Sequence, residues 1–163
     1  MTNMLKKMTK ASLLLLTLIF GIGIFTRFYA ISTIPPFIPH DELGYFINAK
    51  ALQLSGTDIT GTWNPFSLVP VTPTLAELTT HLIVLFNWLP ISQIVAAKLP
   101  FLLMSLLLPF LIAGISYEFT KSKQVSVFAW VITLFNPWVW QIGRMPFDGY
   151  ASFFFIPLVP MYY

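Results

Sequence analysis

The sequence predicts an all-α, polytopic membrane protein, and three observations predict it. Hydrophobic residues make up 56% of the 163 positions. Charged residues make up only 9%, where soluble globular chains carry roughly 25%. The few charges also bracket long uncharged windows. So little charge cannot coat a water-facing surface around so much apolar side chain. A soluble enzyme and a disordered tail are therefore excluded. The net charge of +3 is modest, and its basic residues form no groove-lining stripe, so no nucleic-acid partner is expected. The absence of cysteine excludes disulfide scaffolds, thiolate metal sites and cysteine nucleophiles.

The elements follow from the windows. A spanning helix needs about 20 mostly apolar residues, each adding about 1.5 Å across a hydrocarbon core of about 30 Å. Residues 11–26, between Lys10 and Arg27, seed a first span over about 11–34. Its basic start and apolar run also have the form of a signal peptide, but Phe28 is too bulky for a cleavage site at Ala30. Residues 99–117, between Lys98 and Glu118, seed a span over about 98–118. Residues 124–143, between Lys123 and Arg144, seed one over about 125–143. The uncharged stretch 149–163 reads as a fourth span cut short. Residues 1–163 are thus expected to be the N-terminal part of one transmembrane domain of a longer protein.

Lysine placement orients these spans. Lys6, Lys7 and Lys10 put the N-terminus in the cytoplasm, and Lys121 and Lys123 mark a second cytoplasmic loop. Both hold only if two spans lie between them. The segment around 75–89, which contains His81, Asn87 and Pro90 or lies next to them, is then an interfacial helix. If residues 78–97 span instead, Lys121 and Lys123 face outward. The loop 35–97 is accordingly extracytoplasmic. It opens on Pro35, Pro36 and Pro39, which cannot continue the first helix. Leu43, Phe46, Ile47, Ala51 and Leu54 then recur at helical spacing, with Asp41 before the run and Ser55-Gly56 after it. This predicts a second interfacial helix over about 41–54.

The same topology places Asp41, Glu42, Arg144 and Asp148 on one membrane face. Asp41 and Glu42 can be ordinary helix-terminal acids, and Arg144 an interface anchor. Together, three carboxylates and an arginine at one surface of a charge-poor chain invite a chemical reading. An ionised carboxylate can act as a general base, and an arginine can bind phosphate through two parallel hydrogen bonds. A lipid-phosphate-linked sugar needs both: its phosphate leaves readily, so one base to deprotonate the acceptor suffices. A glycosidase usually needs two carboxyl groups across the bond. His40 and His81 lack a metal-ligand spacing and read as packing or hydrogen-bonding residues. Glu77 is either a site residue or a charge at the start of the 75–89 helix. Trp130, Phe135, Trp138 and Trp140 read as span packing and an interface belt, with sugar stacking open to one of them.

Three stretches carry a family resemblance: Pro39-His40-Asp41-Glu42-Leu43-Gly44-Tyr45, Ala96-Ala97-Lys98-Leu99-Pro100, and Gly143-Arg144 with Asp148 before Phe153-Phe154-Phe155. In their order and separation they resemble the integral-membrane glycosyltransferases of the GT-C fold. The nearest likeness is to the protein O-mannosyltransferases and the bacterial aminoarabinose transferases. The resemblance covers nearly all 163 residues, but only the N-terminal part of such proteins. It implies Asp41 as catalytic base, Glu42 supporting it, and Asp148 at the acceptor or donor pocket. It implies Arg144 and Lys98 as ligands of the donor phosphate. It also implies a non-spanning helix between the first two spans. Two departures stand out. Val71 and Thr72 replace an acidic-basic pair of the aminoarabinose transferases, so no cofactor is firmly expected and a divalent metal is left open. Lys98 stands where an arginine is frequent.

The expected function is a multi-pass plasma-membrane glycosyltransferase with a cytoplasmic N-terminus and an extracytoplasmic active site. It would move a sugar from a polyprenyl-phosphate donor to a lipid, glycan or protein acceptor, among membrane lipids. The 163-residue fragment alone is expected to be inactive. The competing expectations are a multi-span transporter or lipid flippase, and a non-catalytic membrane assembly subunit.

Overall fold

The computed structural model describes residues 10–35, 40–62, 77–146, 149 and 154–156, with the side chains at 40–42 and 77 outside the description. The described residues are mostly helical and include no strand. Among the described residues six helices follow one another: α1 (Lys10–Phe28), α2 (His40–Ser55), α3 (Glu77–Phe86), α4 (Gln93–Thr120), α5 (Lys123–Leu134) and α6 (Pro137–Ile142). Two of them, α1 and α4, are long and apolar enough to cross a membrane.

α1 stops at Phe28, short of the expected 34. Ala30 adopts a left-handed conformation with φ 51°, and the amides of Thr33 and Ile34 turn back onto its carbonyl at 3.0 and 2.8 Å. The chain is thereby folded toward Pro35, which cannot extend a helix. Most of α1 faces outward: Leu13, Leu14, Leu15, Leu18, Ile22 and Phe25 are exposed, while Gly23 and Arg27 are buried.

α4 begins earlier than expected and runs for 28 residues, about 42 Å. Ser92 caps its start by accepting from the Val95 amide at 3.4 Å. Pro100 and Pro109 lie inside it without ending it. Its far end turns at Lys121, where a left-handed conformation lets the amide return to the Tyr117 carbonyl at 2.7 Å. Ser122 then caps α5, and Ser126 donates to the Ala113 carbonyl at 2.8 Å. These bonds close α4 and α5 into a tight antiparallel pair.

The expected helix over 125–143 is two helices. α5 ends at Leu134, and α6 starts afresh at Pro137. Proline lacks the amide that a continuous helix would use, and it disfavours helical geometry in the residue before it. Asn136 takes the cap position instead. Its Oδ1 accepts from the Trp138 and Val139 amides at 2.9 and 3.2 Å.

Two cores hold the helices together. Tyr45 and Ala49 of α2, Ile83 of α3, Ala97, Phe101, Met104 and Leu108 of α4, and Val139 of α6 form the larger one. Ile31, Leu102 and Leu106 form the smaller, covered by Phe20, Ile24 and Val95. Phe20, Phe110 and Trp130 join α1, α4 and α5 with ring centroids 5.3–6.0 Å apart, within the favourable range for aromatic pairs. α2 packs on α3 and α3 on the first part of α4.

Candidate functional site

The site is organised along one face of α4. Lys98 and Ser105 are seven residues apart, so they share a face about 10 Å apart along the axis. Ser105 lies close to the middle of α4. Two other segments converge on it.

From α1, Arg27 is completely buried. Its Nε donates to Ser105 Oγ at 3.1 Å, its Nη1 to the Gly23 carbonyl at 3.2 Å and its Nη2 to the Leu134 carbonyl at 2.7 Å. The last bond has a clear cause. In a continuous helix the Leu134 carbonyl would accept from the Trp138 amide. That amide is held by Asn136, so the break frees the carbonyl and Arg27 satisfies it. A cation at the C-terminal end of α5 also complements the helix dipole.

From α6, Gly143 meets Ser105 directly. A Cβ on Gly143 would stand 2.3 Å from the Ser105 Cβ, so the close approach requires glycine. Gly143 sets the next residue, Arg144, against the middle of the bundle rather than at an exposed end. Arg144 is 1% exposed. Its Nη2 donates to the Tyr29 carbonyl, and its guanidinium lies over the Trp140 ring at 4.6 Å from the centroid. Its Nε and Nη1 are buried and have no hydrogen-bond partner. A guanidinium stays charged at neutral pH.

Lys98 is 2% exposed. Its Nζ donates to the carbonyls of Ile31 and Pro35 at 3.1 and 3.3 Å. It thereby ties the turn after α1 to α4, six residues ahead of Asp41. That separation limits Asp41 to within about 20 Å of Pro35. Asp41 and Glu42 occupy the first turn of α2, where acidic side chains are favoured by the dipole. Their side chains, that of Glu77, and the whole of Asp148 lie outside the described residues. So do Val71 and Thr72. Lys98 thus lies on α4 and Arg144 between Tyr29 and Trp140, and the three carboxylates are not placed by their side chains.

Reading the residues in order did not single out Arg27, because its partners lie 78 and 107 positions away. The usable signal is a lone charge four residues beyond Gly23 in an otherwise apolar helix. Asp58, buried beyond α2, was also passed over. Its carboxylate accepts from the Thr60 amide and hydroxyl at 2.8 and 2.6 Å and from the Thr62 hydroxyl at 3.0 Å, which closes a tight loop. Of the aromatics, Trp130 packs in the interior and Trp138 is exposed. Trp140 supports Arg144 and donates from Nε1 to the Thr26 carbonyl at 3.0 Å. No group of three or more metal-ligating side chains occurs among the described residues.

Where α1 faces the α5–α6 break, a groove of about 440 Å³ opens. Phe25, Thr26, Tyr29, Leu134, Phe135, Pro137 and Trp140 line it. No protein-family model matches the chain, and no curated protein or solved structure does so either.

Proposed function

We propose that this chain belongs to a membrane glycosyltransferase that uses a polyprenyl-phosphate sugar as donor and works on the extracytoplasmic face. The observation that carries this reading is Arg144: a buried guanidinium with two unpartnered nitrogens in a helical chain rich in exposed apolar side chains. Burying a charge without full hydrogen bonding is costly, and a phosphate oxygen at Nε and Nη1 would remove that cost. Lys98 supports the reading by tying down the turn that leads into Asp41. Asp41 would deprotonate the acceptor hydroxyl, with Glu42 and Asp148 lining the pocket. The donor phosphate departs on the Arg144 side.

The test is sugar release from a panel of polyprenyl-phosphate sugars by membranes carrying the full chain. Asp41→Asn is expected to reduce turnover at least about 100-fold, the loss typical of a missing general base, at unchanged expression. Undiminished transfer by that variant would falsify the base assignment.

One observation favours a second reading, a transporter or lipid flippase. The α5–α6 break, with Arg27 on its freed carbonyl and Arg144 after it, has the form of a discontinuous helix at an ionic site. A flippase would move a fluorescent anionic lipid between leaflets of proteoliposomes without consuming any sugar donor.

A further inference from the structure

We infer that Trp140 is a positioning residue: it fixes the plane of the Arg144 guanidinium so that one donor edge stays open to a phosphomonoester oxyanion. This inference rests on the donor reading above and adds the residue that orients the phosphate ligand. From sequence, Trp140 reads as one aromatic of an interface belt. In the structure its ring lies under the guanidinium, with Cζ 4.6 Å from the ring centroid. Its Nε1 donates to the Thr26 carbonyl at 3.0 Å. Thr26 belongs to the last turn of α1, where carbonyls lack an intrahelical donor. The indole therefore replaces a missing backbone partner, and α1 holds the ring in place.

The guanidinium is then constrained from three sides. The Trp140 ring covers one face. Nη2 donates to the Tyr29 carbonyl, three residues beyond Thr26. Gly143, seated against Ser105, sets the backbone from which Arg144 leaves. A guanidinium carries five N–H groups in one plane. Nη2 has one proton on the side of Nε and one on the side of Nη1. Tyr29 takes one of these, so an edge with two parallel protons survives in either case. Nε and Nη1 have no partner, and Arg144 is 1% exposed. Two parallel donors match two phosphate oxygens. A side chain already held in one orientation also loses less freedom on binding than a mobile one.

The experiment measures binding of citronellyl phosphate to the full chain in phosphatidylcholine nanodiscs. Trp140→Leu is expected to weaken binding about tenfold, in the range of a partly desolvated cation–π contact. Trp140→Phe keeps a ring face under the guanidinium and is expected to lose no more than about threefold. Val139→Ala, in the packed core beside it, is expected to lower the unfolding midpoint and leave affinity unchanged. With fluorotryptophan in place of tryptophan, the Trp140 fluorine resonance is identified by its absence in Trp140→Phe. It is expected to shift when citronellyl phosphate is added, and to stay in place in Arg144→Gln. Wild-type affinity in Trp140→Leu overturns the inference. So does an equal loss in Val139→Ala, a stationary resonance, or a wild type that binds no phosphate. Inorganic phosphate separates the two sources of the oxyanion. Tighter binding of the lipid ester supports the donor reading, and equal affinity keeps the role of Trp140 but removes a lipid-linked ligand. Trp140-dependent binding by a protein that transfers no sugar keeps this inference and removes the transferase reading. Sugar transfer undiminished in Trp140→Leu does the reverse.

Discussion

Arg27 shows how one side chain can hold three helices. It joins α1 to the middle of α4 and to the end of α5, and each bond satisfies a group buried away from water. Arg27→Met keeps most of the apolar stem but leaves the Leu134 carbonyl without its donor. Hydrogen bonds between membrane helices average about 0.6 kcal/mol each, and an unsatisfied buried acceptor adds about 1–3 kcal/mol. A loss of about 2–4 kcal/mol is therefore expected, read as a lower unfolding midpoint of the purified protein. Wild-type stability in this variant would show that the bonds are dispensable. Glycines offer a sharper contrast. Gly143→Ala forces a Cβ into Ser105 and is expected to cost about 1–3 kcal/mol, as overpacking does. Gly21→Ala, with nothing within 4 Å of the added Cβ, is expected to be neutral or to stabilise α1 by up to about 1 kcal/mol. The same unfolding measurement ranks the two, and equal effects would contradict the close approach of α6 to α4.

At the scale of the element, the α5–α6 break is the most consequential local feature. The uncharged run on either side of Asn136-Pro137 predicted one continuous span. Periodicity and composition cannot weigh a proline's lost amide against a cap that replaces it. Asn136→Ala removes the acceptor for the Trp138 and Val139 amides and is expected to cost about 1 kcal/mol. Hydrogen exchange should quicken at those two amides and at few others. Unaltered protection there would mean that the side chain does not hold α6. The end of α1 and the prolines of α4 show a related limit. The first apolar window extends beyond Arg27, but a left-handed Ala30 ends regular structure. Pro100 and Pro109 look like helix breakers and are absorbed within α4, which packs against α3 in its first part and against α5 beyond Pro109.

For the molecule as a whole, the distribution of exposure matters most. α1 presents leucines, isoleucine and phenylalanine outward and buries a glycine and an arginine. That inversion suits lipid better than water. With the lysine bias as a guide, a reporter fused after Lys123 in the full protein should read cytoplasmic and one fused after Asp148 extracytoplasmic. An external reporter at Lys123 would reverse the orientation and with it the extracytoplasmic placement of Asp41 and Arg144. The exposed Lys121–Glu118 ion pair at that turn contributes under about 1 kcal/mol, so replacing it should not disturb the result.

Helical class, apolar windows and the approximate places of α1 to α4 were decided by composition and spacing, whereas the candidacy of Lys98 came only from the family resemblance. Helical class, windows and element places depend on neighbours in the chain, and apolar periodicity records them directly. The depth of the cations was decided only by tertiary structure. Arg144 looks like an anchor at a span's end, but Gly143 seats against Ser105 and carries it to the middle of α4. Arg27 looks like a boundary charge, but a carbonyl freed by the α5–α6 break more than a hundred residues away draws it inside. Burial and pairing of a charge depend on which distant polar groups are left unsatisfied, and those groups exist only once the helices have packed.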